Sequence, residues 1–259
     1  MSAPTTTGAP LPALTAEHLG EGLVLLPGSD SVELKATVPG ADRRRVVQRL
    51  GLDPLAAELR QVASFDTPDL GLNGHGVVVR ARRIQGKAGD TVIKLRPINP
   101  ADLSEDLRGD RAFGVEVDAM PGGYLCSTSM KGTAKDKKLR GVFRGEAPAR
   151  ALFSAPQRAL FDAYVPAGVT WEDLRVLGPL TLLRLKFAPE GFPRRMVAEL
   201  WMYPDGSQIL ELSAKCLPAE AFTAAAEAKA FLASRGVDLG APQQTKTSTA
   251  LAYFAALDE

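Results

Sequence analysis

The sequence predicts an α+β fold in which an antiparallel sheet curls into a closed tunnel and helices pack against its outside. Two observations carry this expectation. Short strand-like runs follow one another through turns and helical stretches, without the regular strand–helix alternation of a parallel sheet. On those runs charged residues stand two apart: Glu33 and Lys35, Arg80 and Arg82, Lys94 and Arg96, Glu116 and Asp118, Arg184 and Lys186. Side chains on a strand alternate faces, so each pair points one way while Leu34, Val79, Ala81, Ile93, Leu95, Val117, Leu183 and Leu185 point the other. A water-facing sheet mixes Thr, Ser and Gln with its charges, whereas this face is almost purely ionic on strand after strand. Closing the sheet makes that face the lining of a tunnel and leaves the apolar face for the helices.

Each element has its own signal. Residues 31–38 alternate as a strand and stop at Pro39-Gly40; 41–50 and 54–60 carry apolar residues at helical spacing. A strand over 61–66 runs into the Thr67-Pro68-Asp69 turn. Strands over 77–84 and 91–96 read as a hairpin around the turn at 86–90. Residues 97–111 read as a polar loop, and 113–119 as a strand. The stretch 122–144 turns polar and basic, with Lys131, Lys135, Lys137, Lys138 and Arg140; it reads as a solvated loop or strand edge, the alternative being a mobile basic flap over an anionic ligand. Ser154 is placed to cap a helix through 164, and Thr170 with Asp173 resembles a capping box. Strands over 180–187, 196–203 and 208–214 follow, the last two joined at Asp205-Gly206. An alanine-rich helix over 218–234 closes at Gly236, and a short helix spans 248–257.

Composition bounds the function. The chain has 259 residues, 45% hydrophobic and 24% charged, enough for one large or two small domains, of which one continuous unit from residue 21 is expected after a disordered Thr/Pro/Ala-rich leader at 1–20. A net charge of +1 argues against nonspecific binding to nucleic acid or membranes, so any basic chemistry is local. Cys126 and Cys216 lack metal-binding spacing and read as ordinary thiols, and His18 and His75 form no ligand pair. No secretory signal or membrane-length apolar run is present, and a cytoplasmic protein is expected.

The tunnel face carries two chemistries. Lys35, Arg80, Arg82, Lys94, Arg96, Arg184 and Lys186 suit a compact polyanion, since guanidinium groups grip phosphate oxygens in pairs and ammonium groups neutralise them. Glu33, Glu116, Asp118, Glu199 and Glu211 are hard oxygen ligands of the kind that hold Mg²⁺ or Mn²⁺. Burying so many charges is costly unless each is paired or meets a ligand. Together they describe a metal-dependent site for a phosphate chain.

These same segments resemble a known family. "SVELKATVPG", "SFDTPDLGLNGHGVVVRARR", "DTVIKLRP" and "VAELWMYPDGSQILELS" look like the CYTH family, the triphosphate tunnel metalloenzymes, over roughly residues 30–215. The resemblance implies a closed antiparallel tunnel of eight strands, with a triphosphate held by interior Arg and Lys and divalent cations held by Glu. Glu33 and Lys35 match the second Glu and the Lys of that family's ExExK signature, with Ser31 in place of the first Glu. Arg80 and Arg82 match its RxR strand and Lys94 the Lys that follows; Arg184 and Lys186 match a later basic strand. Glu116 and Asp118, then Glu199 and Glu211, match its acidic strands, with Ser213 where an acidic partner is often found. Two missing carboxylates leave open whether one metal or two is bound.

The resemblance therefore implies a Mg²⁺- or Mn²⁺-dependent triphosphatase acting on inorganic triphosphate or another triphosphate-containing small molecule. Glu33, Lys35, Arg80, Arg82 and Lys94 form its expected catalytic set. Two alternatives stand beside it: a cyclase of the class IV adenylate cyclase type, which needs a purine pocket that no motif in the sequence supplies, and a noncatalytic polyphosphate- or nucleotide-binding module, motivated by Ser31 and Ser213.

Overall fold

The computed structural model describes residues 16–241, 243 and 246–256. The elements run in order as α1 (Ala16–Leu25), β1 (Ser31–Val38), α2 (Arg43–Arg49), β2 (Glu58–Asp66), α3 (Gly71–Gly74), β3 (Val77–Ile84), β4 (Gly89–Leu95), α4 (Glu105–Gly109) and β5 (Phe113–Met120). They continue with β6 (Gly123–Ala134), α5 (Asp136–Phe143), α6 (Ala155–Tyr164), β7 (Arg175–Phe187), β8 (Met196–Met202), β9 (Gln208–Cys216), α7 (Ala221–Ser234) and α8 (Lys246–Ala255). Residues 1–15 of the expected leader lie outside the described residues, and 16–20 open α1.

The strands close into one barrel in the order β1-β5-β6-β4-β3-β2-β7-β8-β9. A closed tunnel with helices outside is thus present, but it has nine strands and is mixed, where eight antiparallel strands were expected. The added strand is β6, in the stretch that reads as a solvated loop or strand edge. Its inward positions carry Ser127 and Ser129, residues that give no apolar alternation, while Cys126 and Met130 point outward into the core. The mixed character follows from the count. Strand direction can alternate all the way round a ring only when the number of strands is even, so nine strands force a parallel seam. That seam joins β1 to β5; the other pairings are antiparallel.

Local sequence explains the remaining departures. The helical spacing over 54–60 gives only a single 3₁₀ turn at Pro54–Ala56, because Asp53 caps it by accepting from the Leu55 N–H at 2.8 Å and the chain then extends into β2. Residues 97–111 include a 3₁₀ turn and α4 rather than loop alone, and 136–143 form α5. At the end of β2, Asp66 accepts from the backbone N–H groups of Thr67 (2.8 Å), Leu72 (2.8 Å) and Asn73 (3.0 Å). That buried carboxylate shapes the turn that delivers β3. Ser154 caps α6 in a reciprocal box with Gln157, and Gln157 also bonds the Met130 carbonyl and the Thr91 hydroxyl, tying α6 to β6 and β4.

The apolar outer face is buried in two clusters. One packs β1, β5, β8 and β9 under α7 through Val32, Val117, Leu212, Ala224 and Phe231; the other packs β2, β3, β4 and β6 under α5 and α6 through Phe65, Ile93, Leu139 and Phe161. A third cluster lies on the inward face at one end of the barrel. Leu180 and Leu182 share the face of Arg184, and Trp201 that of Glu199; with Val62, Ile209 and Ala250 of α8 they form a buried apolar floor. α8 thus stoppers that end of the tunnel. Cys126 and Cys216 are free and buried, and no helix among the described residues is long and apolar enough to cross a membrane.

Candidate functional site

The barrel encloses a cavity of about 410 Å³, and every charged residue assigned to the tunnel face lines it: Glu33, Lys35, Arg80, Arg82, Lys94, Arg96, Glu116, Asp118, Arg184, Lys186, Glu199 and Glu211. The period-two argument therefore places all of them on one face. Arg60, Asp90, Lys131, Lys215 and Lys246 also line it. Arg60 stands just before the strand expected over 61–66, in a stretch of helical spacing, and Lys215 just after the strand expected over 208–214; β2 begins at Glu58 and β9 runs on to Cys216, with Lys215 on the face of Glu211. Lys131, the one residue of the 131–140 basic run to reach the cavity, stands on β6. Lys246 arrives from α8, and nothing in the sequence near it signals an inward position.

The cavity is lined by eleven basic and six acidic side chains, an excess of five positive charges. Five of the acids fall into two groups, and the sixth, Asp90, pairs with Arg82 at 2.7 Å. The parallel seam sets Glu33 beside Asp118 and Ser31 beside Glu116, so that carboxylate oxygens of Glu33, Glu116 and Asp118 come within 4.8 Å of one another. Lys35 bridges this triad, its ammonium 3.1 Å from Glu33 and 2.8 Å from Asp118, and Lys215 pairs with Glu116. Ser213 donates to Glu33 at 3.1 Å and Ser31 to Glu116 at 3.4 Å. Burial pushes the Glu33 carboxyl up, but the ammonium groups of Lys35, Lys215 and Lys246 outweigh it and hold the group down near about 2. Glu33 is therefore a permanent carboxylate at neutral pH.

The second acidic group is Glu199 and Glu211, directly opposite each other across β8 and β9. Glu199 receives Arg184 (3.3 Å), the Trp201 indole N–H (3.3 Å) and Lys246. Glu211 receives Lys246 at 2.6 Å.

Several cations are not so served. Among the described residues Arg80, Arg96, Lys131 and Lys186 form no ion pair, and Lys94 reaches only to 3.8 Å from Asp118. Arg80 is half-buried, and its Nε is buried with no hydrogen-bond partner. Burial, with Arg82 beside it, pushes the guanidinium down to about 10; burial, with Lys35 beside it, pushes the Lys94 ammonium down to about 8, and burial lowers Arg96 as well. Partly buried cations without a counter-ion mark a place that an anion completes.

The triad fits a small divalent cation. Its donors are hard carboxylate oxygens without histidine or thiolate, and Asp118 Oδ1 is buried with no aligned hydrogen-bond donor although the Lys35 ammonium lies beside it.

The fold is shared with solved structures. A candidate adenylate cyclase from Bacillus halodurans superposes with a TM-score of 0.59 at 16% identity, over 85% of this chain and 97% of that one. A candidate adenylyl cyclase from Hippeastrum, HpAC1, reported to have a dominant triphosphatase activity, superposes with a TM-score of 0.61 at 16% identity, over 85% of this chain and 95% of that one. No family model matches the sequence, and no curated protein matches it. At this identity the likeness is one of fold.

Proposed function

We propose that the chain is a metal-dependent triphosphatase that releases the terminal phosphate of inorganic triphosphate. The observation that carries this reading is the set of unpaired cations headed by Arg80, whose Nε is buried without a partner, facing a carboxylate triad inside a closed tunnel. A linear triphosphate carries about four to five negative charges near neutral pH, its terminal group titrating near pH 6, which complements the excess of five positive charges in the lining.

Arg80, Lys94, Arg96 and Lys186 hold the phosphate chain and fix the direction of its scissile bond. Glu33, Glu116 and Asp118 would hold Mg²⁺ or Mn²⁺, which supplies charge neutralisation at the phosphate oxygens. Water attacks the terminal phosphorus, the bridging P–O bond breaks, and orthophosphate and pyrophosphate leave. Charge accumulating on the departing pyrophosphate is met by Arg80 and Lys94, already oriented and withdrawn from water, so electrostatic preorganisation supplies most of the acceleration. Inorganic triphosphate is preferred over a nucleotide or thiamine ester because, among the described residues, the lining holds no aromatic side chain; its apolar members are Val78, Val92, Met120, Leu125 and Val197.

The test is phosphate release from tripolyphosphate with Mg²⁺ or Mn²⁺, beside ATP and thiamine triphosphate. No release with either metal removes the reading. A second reading, a noncatalytic polyphosphate binder, is favoured by the lysine partners that the triad carboxylates already have; tight, metal-independent binding of tripolyphosphate without turnover would establish it instead.

A further inference from the structure

Glu199 and Glu211 present like charges to each other across a strand pair, an arrangement that is unfavourable unless a cation lies between them. In this chain that cation is an amino acid. Lys246 is largely shielded, its side chain 16% exposed; its ammonium contacts both carboxylates and lies 5.4 Å from the centre of the Trp201 ring. α8 holds it there: the Tyr203 hydroxyl donates to the Lys246 carbonyl at 3.1 Å, and Ala250, Tyr253 and Phe254 pack on the apolar floor formed by Leu180, Leu182 and Trp201. Glu199 has no oxygen left over, one facing Arg184 and the other facing Lys246 and the Trp201 N–H.

We propose that Lys246 is a tethered counter-cation that takes the place of a second divalent ion, so that the tunnel binds one metal, at Glu33, Glu116 and Asp118. This rests on the triphosphatase reading for its purpose, though not for its test. Because the ammonium is delivered by the chain itself, its local concentration at the carboxylates is high and independent of metal supply. A divalent ion at Glu199 and Glu211 would have to displace it from both carboxylates while α8 stays docked on the apolar floor.

The experiment counts bound Mn²⁺ by electron paramagnetic resonance on the full chain without substrate. The parent is expected to bind one ion, Lys246→Met one more than the parent, and Lys246→Arg the same number as the parent. The methionine keeps the apolar stem against Trp201, so α8 remains docked. Glu199→Gln is the companion variant, read even if Lys246→Met fails to fold: its count stays at the parent value. A parent that binds two ions, a methionine variant with no gain, or a loss in Glu199→Gln overturns the proposal. Phosphate release by the parent is scored separately, so failure of the triphosphatase reading and failure of this inference give different results.

Discussion

Replacing Arg80 by methionine should make the empty protein more stable while abolishing its response to a polyanion. The guanidinium has a buried, unpartnered Nε, forms no ion pair among the described residues, and is displaced from its ordinary value down to about 10 by burial and by Arg82. A lowered pKa on a cation means that the charged form is disfavoured in the fold. The penalty is fully present below about pH 10 and disappears only as pH rises through the unfolded value. From the displacement it is roughly 3 kcal/mol at neutral pH. Methionine fills less space, and partial collapse around it returns part of that gain, leaving about 1–3 kcal/mol. For a chain of this size that is a rise of roughly 2–10 °C in Tm. Tripolyphosphate at a hundredfold excess over its Kd should stabilise the parent by about 2.7 kcal/mol, again several degrees, and should leave the variant unmoved. Thermal unfolding with and without tripolyphosphate, metal chelated, measures both. A variant that is folded but less stable than the parent, or one that keeps the full ligand-induced shift, refutes the claim that Arg80 is held in reserve for an anion.

Two further outcomes follow from neighbouring groups. Lys94, pushed down to about 8 by burial and by Lys35, loses its proton as pH rises through that value; a bound polyanion restores it. Near pH 9, with metal chelated, tripolyphosphate binding by the parent should take up about one more proton than binding by Lys94→Met, the difference vanishing near pH 6.5. Titration calorimetry in buffers of different ionisation enthalpy reads this, and equal uptake at pH 9 counts against it. Asp66→Ala strips the acceptor from three backbone N–H groups at the β2 turn, and should cost about 2–4 kcal/mol, roughly 4–12 °C in Tm, in a melt; a loss below 1 °C would show that water replaces the carboxylate.

The inward face was legible because it obeys a rule of period two that holds whatever surrounds the strand. Glu33 and Lys35, or Arg80 and Arg82, declare their common side from spacing alone, and all the residues so identified line the cavity. Features set by long-range pairing were not legible. β6 is a strand because β4 and β5 bond to it on both sides, and its inward serines carry no hydrophobic signature of that. Lys246 is inward because α8 docks on a floor built from four strands, a placement decided by Leu180, Leu182, Trp201 and Ile209 more than by its own neighbours in sequence.

The two serines change meaning once the seam is known. On the resemblance alone Ser31 and Ser213 are absent ligands. In the fold each donates to a triad carboxylate, Ser31 to Glu116 and Ser213 to Glu33, the position from which an outer partner orients a metal ligand. Lys215, two residues beyond Ser213 on the same face, adds its charge at Glu116. The positions where carboxylates are missing are thus filled by groups that pair with the carboxylates that remain. With Lys246 between Glu199 and Glu211 and Arg82 on Asp90, the acids of the tunnel form one triad suited to a divalent ion and others that the chain has already neutralised. A site arranged in this way needs fewer metal ions to receive the same anion, because part of the positive charge is covalently its own.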